Sequence, residues 1–86
     1  AKKHPRRSEM PTKAFILIEV QVGRANHVAD SLRFLPQVTT ADVVTGTFDI
    51  IACIEVGDMA AMADLVTSQM QSIRGVIKTI TCVTAG

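Results

Sequence analysis

The sequence carries little that could do covalent chemistry. It has two cysteines and two histidines. Cys53 and Cys82 stand far apart and form no metal motif. Neither His4 nor His27 neighbours a nucleophile or a carboxylate relay, and His27 reads as a solvated surface residue. No glycine-rich phosphate loop interrupts the chain. No apolar run approaches the ~20 residues that cross a bilayer, and the opening residues lack the apolar centre of a secretory signal. Aromatics make up only 3% of the residues although 48% are hydrophobic, so the apolar content is aliphatic and rich in Ile and Val. These absences favour a sensor or assembly module over an enzyme. No catalytic residue, metal, cofactor or membrane contact is expected, and the location expected is cytoplasmic.

Charge of one sign is also scarce. The formal net charge of +1 hides an uneven distribution. Lys2, Lys3, Arg6 and Arg7 against Glu9 leave +3 in the first ten residues. The remaining five basic and seven acidic residues give −2. A mildly acidic body repels phosphates, which argues against nucleic-acid binding. Residues 1–12 have no periodicity and read as a disordered basic tail or linker. Residues 13–86 read as one folded domain.

Two similar halves follow, each giving strand, helix, strand. Ala14 to Val22 alternates, with Ala14, Ile16, Ile18, Val20 and Val22 on one face. Ala25, Val28, Ala29, Leu32 and Leu35 keep helical spacing, and Pro36 ends that helix. Val38 to Thr45 and Phe48 to Val56 form an antiparallel hairpin about Gly46. Asp58 caps a second helix over about Met59 to Ser72. Its inner stripe is Met62, Leu65, Val66, Gln69, Met70 and Ile73, with Gly75 as its stop. Val76 to Thr84 is the last strand. Right-handed crossovers then give a ferredoxin-like βαββαβ α+β fold. Its antiparallel sheet has strand order 4-1-3-2, with both helices on one face. Cys53 and Cys82 are thereby separated by the first strand, roughly 9–10 Å apart, too far for a disulfide.

The helix-free face carries Phe15, Leu17, Ile51 and Cys53. Fully burying such side chains contributes roughly 1.5–3 kcal/mol each, and leaving them wet invites association. A homodimer packed sheet to sheet is expected. The turn Thr45-Gly46-Thr47-Phe48-Asp49 is the place for a small ligand. Asp49 offers an acceptor for an ammonium group, although a carboxylate there also suits backbone amides of the turn. Thr79 and Thr81 share a strand face, and their hydroxyls suit a carboxylate.

Residues Ala14 to Ala85 resemble the effector-binding (RAM) domain of the Lrp/AsnC family of feast/famine transcriptional regulators. The likeness rests on Ala14-Phe-Ile-Leu-Ile-Glu-Val20 and on Val44-Thr-Gly-Thr-Phe-Asp49, similar to the family's Val-Thr-Gly-x-Tyr/Phe-Asp turn. It rests also on Gly75-Val76 followed by Thr79 and Thr81. The resemblance implies a ferredoxin-like domain whose dimers pack through their sheets and assemble into octameric rings. It implies an effector, commonly an amino acid or related metabolite, bound between dimers. The matching positions are Thr45, Gly46, Phe48, Asp49, Thr79 and Thr81. Phe48 replaces the commoner tyrosine, so no hydroxyl is available there. Family members carry a helix-turn-helix that this sequence lacks. The resemblance thus implies a stand-alone version or a fragment, with full-length DNA-binding members as possible partners and no direct DNA binding. An ACT-like regulatory domain of a metabolic enzyme, which has the same topology, is the alternative.

Overall fold

Period-two burial organises the whole molecule. The computed structural model describes residues 11–85, so the expected basic tail lies almost wholly outside the described residues. The elements are β1 (Thr12–Val20), α1 (Ala25–Arg33), β2 (Val38–Val43), β3 (Ile50–Val56), α2 (Met59–Asp64) and β4 (Val76–Val83). A π-helical segment, Leu65–Met70, continues α2. One antiparallel sheet has the order β2-β3-β1-β4, as the two-halves pattern predicts.

Ala14, Ile16, Ile18 and Val20 of β1 and Ile50, Ala52, Ile54 and Val56 of β3 face the helices and are buried. They meet Val28, Ala29 and Leu32 of α1 and Met62, Leu65, Val66 and Met70 of the second helix. Val22 departs from the expected inward face and is fully exposed. β1 ends at Val20 because Gln21 N donates to Gly75 O (2.8 Å) and Arg24 N to Gln21 O (3.0 Å), turning the chain away. Gln69, expected on the inner stripe, is exposed as well.

The second helix changes pitch where the sequence predicts a regular α-helix to Ser72. Asp58 caps it as expected, its Oδ1 accepting from Ala61 N at 2.8 Å. Beyond Asp64, Thr67 Oγ1 donates to Ala63 O (2.8 Å) and Ser72 Oγ to Ser68 O (3.0 Å). Such back-bonding loosens the ordinary ladder, and Gln71 N reaches Val66 O, five residues back, at 2.9 Å. Gly75 is not the helix stop. It lies in the turn into β4 with φ +104°. A Cβ there would meet Arg24 Cβ at 3.0 Å and Val28 Cγ2 at 3.2 Å.

Candidate functional site

The hairpin connection is longer than the sequence suggests. β2 stops at Val43 and β3 starts at Ile50, so residues 44–49 form the loop. Asp49 dictates this. Its N–H donates to Ile18 O (2.9 Å) and its carbonyl accepts from Val44 N (2.8 Å). Its Oδ2 accepts from Val20 N at 2.9 Å. Two of these bonds pin the loop to the end of β1, and the third closes it across its own base. Gly46 sits in it at φ +152°, a conformation that side chains resist. Thr45 and Gly46 are exposed, and Phe48 and Asp49 half-buried.

Thr79 and Thr81 stand on the other side of β1, opposite Ile18 and Ile16, and so on the helix side of the sheet. Thr79 Oγ1 accepts from Gln71 Nε2 at 2.9 Å. Gln71, Val76, Ile77, Lys78 and Thr79 line a recess of about 390 Å³. Thr81 lines an apolar recess of about 260 Å³ with Met59, Met62, Ala63, Val66 and Thr67. Within one protomer β1 stands between the turn and β4. The two groups of residues flank it and do not meet. Sequence reasoning missed Gln71 and Lys78. Gln71 is a polar residue after a helix and belongs to no motif. Its proximity to Thr79 comes only from the path of the chain through Gly75.

On the helix-free face, Phe15, Ile51 and Ile80 are 40%, 36% and 36% exposed, whereas Cys53 is 7% exposed. Leu17 is half-buried. Phe15 pairs with Cys53 on one side and Cys82 on the other. The thiols are thus free and two strands apart, as the strand order requires. Lys13 Nζ lies 5.4 Å from the Phe15 ring centroid, a cation over an exposed aromatic face. Ile80 was absent from the expected apolar patch; its register opposite Leu17 adds it.

The profile of the Lrp/AsnC ligand binding domain matches residues 13–85. The chain belongs to this family. An uncharacterised helix-turn-helix-type transcriptional regulator of Pyrococcus abyssi is 30% identical over 70 residues, 81% of this chain. This Lrp/AsnC domain spans 44% of that relative's length. A Thermus thermophilus protein of known structure superposes with a TM-score of 0.83 at 31% identity, covering 87% of this chain and 94% of its own. A transcriptional regulator from Neisseria meningitidis, solved as a complex with L-Met, gives a TM-score of 0.83 at 24% identity. That match covers 100% of this chain and 57% of the regulator. The fold is therefore the ferredoxin-like one of the Lrp/AsnC regulators.

Proposed function

We propose that this Lrp/AsnC domain binds an amino acid or related small metabolite and couples its occupancy to assembly, without catalysing a reaction. Asp49 carries the reading. Oδ2 and the backbone N–H fix the turn against β1 and the carbonyl closes it on Val44, while Oδ1 accepts no hydrogen bond among the described residues. A half-buried carboxylate held in place is a preorganised acceptor for an ammonium. Thr79 already accepts from Gln71, so its hydroxyl proton remains available for a ligand carboxylate. The ammonium and carboxylate of an α-amino acid are too close together to reach both sides of β1. The site is therefore completed between protomers, with Thr45, Gly46, Phe48 and Asp49 of one meeting Thr79 and Thr81 of another. The L-Met bound by the Neisseria meningitidis regulator supports this ligand class.

Assembly begins with a homodimer packed through Phe15, Leu17, Ile51 and Cys53, and rings such as octamers join such dimers. Co-assembly with full-length DNA-binding family members would let occupancy tune transcription, because a ligand shifts an assembly equilibrium by its differential affinity. A thermal-shift panel of amino acids tests the binding. Ligand at a hundredfold excess over its Kd stabilises by about 2.7 kcal/mol. The expected result is a rise for one side-chain class that Asp49→Asn abolishes while assembly persists. A chain that no amino acid stabilises, or an Asp49→Asn variant that binds as the wild type does, contradicts the reading.

A further inference from the structure

The last strand borders two recesses of opposite character. The one beside Thr79 is shared with Gln71 and Lys78, and the Thr79 hydroxyl already accepts from Gln71. The other lies between the second helix and β4. Met59, Met62, Ala63, Val66, Thr67 and Thr81 line it, and none of them carries a charge. Met62 and Val66 belong to the hydrophobic core and form its floor.

The helix leaves this second recess open at one residue. Met59, Ala63 and Thr67 stand four residues apart and so stack along one stripe of the helix. The bond from Thr67 Oγ1 to Ala63 O, at 2.8 Å, ties the last two together and consumes the Thr67 hydroxyl proton. Ala63 ends at Cβ between two longer neighbours, which leaves a gap. Met59 beside it is 55% exposed, an unbranched thioether able to fold over what enters. Thr81 supplies the one unused polar side chain of the lining, since its hydroxyl makes no hydrogen bond among the described residues. An apolar hollow with a single free hydroxyl in its wall suits a molecule with one polar and one apolar end.

We infer that this recess receives the side chain of the proposed amino-acid ligand, and that Ala63 sets how long that side chain can be. The inference rests on the ligand reading given above, which puts Thr81 at the ligand's carboxylate. It adds the chemistry of the rest of the ligand. A straight aliphatic or thioether chain buries against Met62 and Val66. A carboxylate, ammonium or amide in the same place gives up its water and finds no partner, because the free hydroxyl of Thr81 is already engaged. The recess beside Thr79, with Gln71 and Lys78 in its wall, is the one that would favour a polar chain.

Titration calorimetry of the full chain with alanine, α-aminobutyrate, norvaline and norleucine reads the recess one methylene at a time. Each step should tighten binding about fourfold, the worth of one buried methylene. Glutamine, glutamate and lysine should bind no tighter than alanine. Ala63→Leu fills the gap at an exposed helical position with a residue nearly as favourable in a helix, so circular dichroism should stay unchanged. It should leave alanine binding as in the wild type and weaken norleucine about tenfold or more. Thr81→Val removes the hydroxyl and keeps the shape. It should weaken the whole series alike and preserve the gain per methylene. A flat series, a preference for charged or amide side chains, or norleucine binding unaltered in folded Ala63→Leu overturns this inference and leaves the ligand reading standing. A chain that binds no amino acid overturns both. The wild-type series decides the matter even if Ala63→Leu folds poorly.

Discussion

Asp49 is the residue on which the turn depends. Replacing it with alanine leaves the Val20 amide without its 2.9 Å acceptor, and an orphaned, partly buried group costs about 1–3 kcal/mol. Urea unfolding of Asp49→Ala should show that loss. Asp49→Asn should lose less, because its amide oxygen still accepts, while ligand response disappears. Gly75→Ala should destabilise by about 1–3 kcal/mol, since φ of +104° disfavours any Cβ and the Arg24 and Val28 contacts leave no room. A wild-type unfolding midpoint in Gly75→Ala would contradict that geometry. The inward residues of β1 and β3 were legible because burial follows a period of two. Val22 was not, because a hydrogen bond from Gln21 to the distant Gly75 ends the strand before it. Asp49 stood out as an acid at a turn. Its bond to Val20 could not be seen, because it joins positions far apart in the chain.

At the scale of elements, the second helix holds two kinds of information. Its start is written locally: Asp58→Ala should cost about 1 kcal/mol in chemical denaturation, the usual worth of an N-cap. Its π-helical continuation is not written as a pattern. Thr67 and Ser72 have to find backbone carbonyls before the pitch changes, and nothing in the spacing of Leu65, Val66 and Met70 announces it. The hairpin shows the same division. Two alternating runs about Gly46 were enough to read an antiparallel pair. The length of the loop was set by Asp49 closing on Val44 and Ile18. The bond from Arg33 to the Ala41 carbonyl also lay beyond sequence reasoning, since Arg33 reaches it only once α1 packs beside β2.

For the whole molecule, strand order followed from the repetition of strand, helix, strand, because handed crossovers leave few alternatives. Which residues share the helix-free face followed from the same register, except Ile80, which the pairing with Leu17 places there. What the sequence could not join were the turn and β4, which β1 separates within a protomer. The proposed function calls for a second copy at the site and at the apolar face alike. Cys82 is exposed in the single chain and borders Phe15, so its alkylation should slow as protein concentration rises. Equal rates at all concentrations would mean that the face stays open. The most direct measurement is the solution mass of the wild type beside that of Phe15→Glu. A helix-free face covered by another copy predicts at least two chains for the wild type and a smaller particle for the variant. A wild type of single-chain mass, or a variant of unchanged mass, would contradict it.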